Sequence, residues 1–384
     1  MKLPPDPLIG QLGRTVRDTI RATGPDVICD GPADLRETRS QLEAHATTVL
    51  KAVLATELEV PVEVGGLDLG IEAGTVVAQE LGRAGLPDCY NGPGLLADLL
   101  SVRRGPQELP VELMMRGTPV EVCGLTGPAA ATAVPAGWRL DGRVCATSSQ
   151  ASAICTAVAS GNEVLLVLLD PATVARLTSR VAGGVRTIEL GSIEVDDRHM
   201  VGSLGTGWPL SDPDGLLARL RVRHAAWLVG LGYGAHARAA AYAQQRRQFD
   251  RPLLANQGVS FPLARAWVAL RAAELAVRGV ARLIDDGGVP DPLAAGQALG
   301  LGLEAATAAT RTALQTHGAR GLAAQADLGR YYLAIRDSAA LAGPPATLWS
   351  ELGQRERGRS VVAARRHRSA SPADDQDVVA SVTS

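Results

Sequence analysis

The residues best equipped for chemistry crowd into one stretch, AYAQQRRQFDRPLLANQ, from Ala241 to Gln257. It places Tyr242, Arg246, Gln248 and Phe249 at the end of an Ala-rich amphipathic run, and Pro252 follows before a new helical pattern opens at Gln257. A guanidinium such as that of Arg246 binds an oxyanion through paired, charge-assisted hydrogen bonds. Further on, QTHGARG from Gln315 to Gly321 reads as a small-residue turn. Backbone amides in such a turn approach an anionic group closely.

Elements of three kinds must position these groups. Helical periodicity dominates from about Leu8 to Gly117, broken at PVEVGGLDLG, where Gly65 and Gly66 mark a turn. Short β-like runs follow to about Gly202, among them WRLDGRVCAT, EVLLVLLD and VRTIELGSIEV, and Asp141-Gly142 is a hairpin signal between two of them. From about Asp212 to Gly358 the pattern is helical again, interrupted at Pro252, Gly287-Gly288 and Gly343-Pro345. The tail ARRHRSASPADDQDVVASVTS is polar and aperiodic, and is expected to be disordered. The expected divisions are an N-terminal α-helical domain over 1–119, a middle β domain over 120–205, a C-terminal helical bundle over 206–360 and a tail over 361–384.

Bulk properties narrow the function classes. At 384 residues the chain can bury a large core, and its net charge of -2 gives no reason to expect nucleic acid as a partner. Aromatics are only 3%, so the core must be built from Ala, Leu and Val, which lets helices pack closely. Cys29, Cys89, Cys123, Cys145 and Cys155 show no CxxC spacing, so no zinc or redox motif and no bound metal is expected. Prolines interrupt the N-terminus where a signal peptide needs an apolar core, and Val164 to Leu169 is too short to span a bilayer. The expectation is a soluble, cytoplasmic protein without membrane partners.

Order and motifs together resemble the acyl-CoA dehydrogenase family over about Leu58 to Gly358. EVPVEVGGLDLG followed by VVAQELGRAG looks like the family's GG turn and the helix after it. VCGLTGP stands where the family has a strand end lining the flavin ring, so the resemblance implies that Leu125 and Thr126 contact the isoalloxazine. GWRLDGRVCATSSQAS resembles the strand, hairpin and strand that end in aromatic-x-Thr. This puts Thr147 near flavin N5 and Cys145 in place of the shielding aromatic. Arg246, Gln248, Phe249 and Gln257 then resemble the signature that reaches a neighbouring subunit's FAD, with Asp250 where a glycine is usual. Gln315 and Gly318 resemble the Gln-x-x-Gly-Gly-x-Gly loop, with Ala319 replacing one glycine.

The resemblance implies an α+β fold with an N-terminal helical domain, a middle β-barrel or sheet domain and a C-terminal four-helix bundle. It implies FAD as cofactor and an acyl thioester of CoA or a carrier protein, or a related small molecule, as substrate. It also implies a homo-oligomer, a dimer or tetramer, or a hetero-oligomer with a related chain. The family's catalytic carboxylate is missing. One usual position falls on Ala342, and the other, on the helix leading to Tyr242, falls near Leu220. Losing a general base costs about 10²–10⁴ in rate without affecting flavin binding. Asp212, Asp214, His224 and Glu351 are the nearest candidates to replace it, the sequence selects none of them, and the catalytic residue stays unknown. Their ordinary roles are a solvated turn and N-cap for the aspartates, a packed core histidine, and a solvent-facing glutamate. The segment between Thr126 and Trp138 is also short, and loses a turn that holds the thioester arm. Three readings stay open: a dehydrogenase-like flavoenzyme with a non-standard base, a base-less partner subunit, and a flavin fold repurposed as a cyclase or oxygenase in secondary metabolism. A non-catalytic binding module of other ancestry is a fourth.

Overall fold

A computed structural model describes residues 7–24, 35–102, 105–123, 129–147, 151–182, 185–206, 212–322, 327–342, 346, 348–354 and 356–357. The N-terminal zone forms α1 (Pro7–Thr23), α2 (Leu35–Ala52), α3 (Gly70–Arg83), α4 (Asn91–Val102) and α5 (Glu108–Met115). Strands β1 (Val120–Val122), β2 (Ala130–Val134), β3 (Gly137–Asp141), β4 (Arg143–Ala146), β5 (Ala153–Ser160) and β6 (Glu163–Leu169) follow, then the single turn α6 (Pro171–Val174). Strands β7 (Thr178–Ala182), β8 (Val185–Glu189), β9 (Ile193–Val195) and β10 (Met200–Thr206) complete the β zone. The C-terminal zone holds α7 (Leu216–Gln245), β11 (Arg247–Gln248), β12 (Arg251–Pro252), α8 (Gln257–Asp285), α9 (Pro292–His317) and α10 (Gly329–Ala342).

The β zone is two sheets. The larger runs β10-β6-β5-β2-β3-β9, with β1 parallel to β5 ahead of β2, and the smaller runs β4-β8-β7. Alternation along β6 shows how they stack. Leu166 and Leu168 join a cluster with α4, α5 and the start of α7, while Val167 and Leu169 face the cluster shared with the smaller sheet. The larger sheet is therefore buried on both faces, by helices on one and strands on the other.

Asp141-Gly142 does not make the expected hairpin. β3 pairs with β2 and β9, whereas β4 pairs with β8 in the other sheet. Only Gly142 of the two takes a positive φ, of 98°, so the dipeptide is a corner through which the chain changes sheets.

Small residues let α7 run through the middle of the helices. A Cβ on Gly230 or Gly234 would overlap the carbonyl oxygen of Gln79 or Arg83 in α3, and one on Gly82 would overlap that of Trp227. The scarcity of aromatics is thus a packing device, since backbone meets backbone where larger side chains would separate the helices. At the turn before α3, Gly65 has φ 90° and a Cβ on Gly66 would overlap the Val60 carbonyl, so both glycines are required. Among the described residues no helix is long and apolar enough to cross a membrane, and no group of three or more His, Cys, Asp or Glu is placed to hold a metal. The tail over 361–384 lies outside the described residues.

Candidate active site

The first group of candidates sits where α7 ends. Arg246 leaves the helix with φ −72° and ψ 126°, while its N–H still donates to the Tyr242 carbonyl at 2.8 Å. A two-strand hairpin follows, pairing Arg247 with Pro252 and Gln248 with Arg251. Its tip, Phe249 and Asp250, has φ 50° and 61°, as a two-residue turn between antiparallel strands requires. Leu253 N–H donates to the Arg246 carbonyl at 2.7 Å and closes the hairpin, and Asn256 caps α8 by accepting from Gly258 N–H at 2.9 Å.

Arg246, Gln248 and Gln257 are exposed, and Phe249 is 93% exposed. Among the described residues the Arg246 side chain makes no hydrogen bond or ion pair. The Tyr242 ring stacks on His317 with centroids 4.2 Å apart, which brings the end of α9 to the hairpin. Gln315 is exposed there, and Gly318 has φ 61° with open space where a Cβ would stand. The candidates from α7, α8 and α9 thus share one end of the bundle.

Thr147 belongs elsewhere, just past β4. Its backbone N–H and its hydroxyl both donate to Glu121 Oε1 on β1, the hydroxyl at 3.1 Å. No hydrogen bond or ring contact among the described residues ties it to the hairpin group. Leu125 and Thr126, between β1 and β2, lie outside the described residues. Cys145 is half-buried on β4. Cys123 and Cys155 are buried, and burial pushes the Cys155 thiol up to about 12, so neither is a thiolate at neutral pH.

At the two usual base positions, Leu220 is buried among Leu95, Leu96, Val120 and Val122, and Ala342 closes α10. Gly343 to Pro345 lie outside the described residues. One helical turn beyond Leu220, His224 Nδ1 lies 2.7 Å from Asp88 Oδ2, and its ring stacks on Trp227 at 5.3 Å. Asn91 Nδ2 donates to the same Asp88 oxygen at 2.7 Å. His224 is buried, as the sequence suggests, but it is paired rather than merely packed.

Beside it, Arg223 is 0% exposed and reaches two carboxylates. Its Nε donates to Glu59 at 2.9 Å, and Nη1 and Nη2 donate to Asp98 at 2.7 and 2.8 Å. Tyr90 donates its hydroxyl to Glu59 at 2.9 Å. Burial works against the charge on Arg223, yet Asp98 and Glu59 outweigh it and hold the guanidinium well above its usual range.

Two ordinary roles need correction. Glu351 does not face solvent: it is buried and accepts from Arg221 Nη2 at 2.7 Å. Asp212 is buried too, and its carboxylate caps α7 by accepting from Leu217 and Ala218 N–H at 3.0 and 2.9 Å. Sequence reasoning missed Glu59, Asp88, Asp98 and Glu121. No local signal marks them, because Glu59, Asp98 and Glu121 meet their partners, and Asp88 meets His224, across a long stretch of chain.

Residues 205–356 match the family described as acyl-CoA dehydrogenase, C-terminal domain. The chain is 31% identical over 202 residues to acyl-CoA dehydrogenase FadE28 of Mycobacterium tuberculosis, covering 50% of this chain and 57% of that protein. It is 32% identical over 149 residues to 3-(aryl)acrylate reductase of Clostridium sporogenes, covering 39% of each. The matched segments thus span only about two fifths to just over half of these relatives. Among solved structures, a chain of the ChsE4-ChsE5 complex from Mycobacterium tuberculosis superposes with TM-score 0.75 at 22% identity, covering 97% of this chain and 100% of that one. The FAD complex of PigA superposes with TM-score 0.71 at 16% identity, covering 94% and 100%. Residues 205–356 thus match an acyl-CoA dehydrogenase C-terminal domain, and the fold of the chain is that of the acyl-CoA dehydrogenases.

Proposed function

We propose that the chain is an FAD-dependent oxidoreductase of acyl-CoA dehydrogenase type, acting on an acyl thioester of CoA or a carrier protein with a non-standard base. The observation that carries this reading is the bare Arg246 at the α7 hairpin, set beside the open Gly318 turn by the Tyr242–His317 stack. These residues fit a dinucleotide: a planar cation for the diphosphate, a glycine that admits close approach, amides from Gln248, Gln257 and Gln315, and the Phe249 ring for a flat face. When bound, FAD supplies a two-electron acceptor for hydride. Thr147 would face its ring from the β zone. The relative described as an FAD complex supports the cofactor.

A second chain completes the reading. Phe249 at the hairpin tip and Phe261, Val268 and Leu275 at seven-residue steps along α8 are all exposed, a surface suited to another protomer. The missing carboxylate at Leu220 and Ala342 also favours a partner of related sequence, and the superposing ChsE4-ChsE5 structure is a complex of two named chains. Purified protein should be yellow, and a thioester substrate should bleach it without oxygen. A colourless protein that takes up no FAD sinks the proposal, and co-purification with a second dehydrogenase-like chain selects the hetero-oligomer.

A further inference from the structure

We infer that His224, oriented by Asp88, is the base that removes the α-proton of the thioester, an inference that rests on the function proposed above. Among the described residues, three buried polar atoms without a hydrogen-bond partner belong to these neighbouring side chains: His224 Nε2, Asp88 Oδ1 and Asn91 Oδ1. Their side chains are joined, since His224 Nδ1 and Asn91 Nδ2 both meet Asp88 Oδ2 at 2.7 Å. His224 and Asn91 are 4% and 7% exposed, so leaving these atoms bare is costly, and a polar ligand group would satisfy them. With Nδ1–H donating to the carboxylate, Nε2 carries the lone pair and is the free acceptor.

On the function proposed above, the pair stands near the elements that would face the flavin ring. His224 follows Leu220 by one helical turn on the same face of α7. Asn91 opens α4, and the next residue, Gly92, is pressed against β1 so closely that a Cβ would overlap the Val120 carbonyl. The adjoining Glu121 holds Thr147. Of the charged groups nearby, Arg223 precedes His224 along α7 and pairs with Glu59 and Asp98, Arg219 approaches Asp98 at 3.5 Å, and Glu43, Arg39 and Glu121 act with Asp88 on the neighbouring Cys89. Cys89 itself is kept protonated, chiefly by burial and then by the negative charges of Glu43, Asp88 and Glu121.

In the proposed step the α C–H bond breaks, the proton moves to Nε2, and the electron pair remains on the α-carbon, delocalised into the thioester carbonyl. The imidazolium that forms is stabilised by Asp88. No oxidant enters this half of the reaction.

The test follows α-hydrogen exchange in D2O by mass spectrometry on butyryl-CoA, octanoyl-CoA and phenylacetyl-CoA, with flavin absorbance recorded on the same samples. Phenylacetyl-CoA has no β-hydrogen to lose, so it reports proton transfer alone. His224→Asn keeps a donor toward Asp88 but lacks Nε2, and should slow exchange roughly 100-fold or more at unchanged flavin content and melting temperature. Asp88→Asn should slow it less and move the acid limb of the exchange rate to lower pH, which a purely structural role would not do. Exchange by His224→Asn at the wild-type rate, or none by the wild-type protein on all three thioesters, overturns the dyad and leaves the flavin reading intact. A colourless wild-type protein that still exchanges does the reverse.

Discussion

The two halves of α7 present opposite situations. Around Arg223 and His224 the helix is enclosed by carboxylates, a tyrosine and an asparagine from elements far away in sequence, and the charges there are paired. Around Arg246 the same helix ends in water, with a bare guanidinium and a phenylalanine at the tip of a hairpin. The buried end is held in place by its own chain, with only a few polar atoms beside His224 left over for a small group. An unpaired, exposed one that keeps an aromatic and a cation together is shaped for something arriving from outside.

Substitutions can break or sharpen that contrast, and on the stability scale the buried half should dominate. Arg223→Ala would strand Glu59 without a counter-charge, leave Asp98 only Arg219 at 3.5 Å, and should cost about 3–5 kcal/mol, read from urea unfolding. A loss below 1 kcal/mol would mean the network is less enclosed than its hydrogen bonds imply. Gly230→Ala forces a methyl into the Gln79 carbonyl and should cost about 1–3 kcal/mol. Its thermal melt would match wild type only if α3 and α7 can part freely. Asp212→Ala removes the double cap on α7 and should cost about 0.5–2 kcal/mol.

At the exposed end the numbers shrink. Asp250→Gly relieves a left-handed backbone and should stabilise by under about 1 kcal/mol; a clear loss in a thermal melt would mean the aspartate has a partner of its own. Arg246→Ala should leave the apoprotein within about 0.5 kcal/mol of wild type, with the far-ultraviolet spectrum unchanged, yet abolish the yellow colour. Full FAD occupancy in that variant would remove the clamp from the argument.

Features set by neighbouring residues were legible in the sequence. The end of α7 and the start of α8 follow from Ala-rich periodicity, Pro252 and the fresh pattern at Gln257, and they stand where those signals put them. The paired glycines at Gly65 and Gly66 also behave as a turn must. Asp141-Gly142 misleads because a glycine with positive φ serves a change of sheet as well as a hairpin, and only the packing of β4 on β8 decides between them. Glu351 carries no mark of burial, since its partner Arg221 lies 130 residues earlier. His224 meets Asp88 across 136 residues and Arg223 meets Glu59 across 164, distances over which no local pattern operates. The α7 hairpin was legible because it is local, and the polar junction was hidden because it is assembled from afar.

The backbone-to-backbone seam between α3 and α7 has one more consequence. It leaves α7 no slack to bend or slide, so the helix acts as a strut whose 22 residues from His224 to Arg246 hold the two ends ~33 Å apart. No single flavin dinucleotide stretches over that span within one subunit. On the function proposed above, a dinucleotide gripped by Arg246 would therefore serve the His224 of another chain, and pulling the two chains apart would disable both at a stroke.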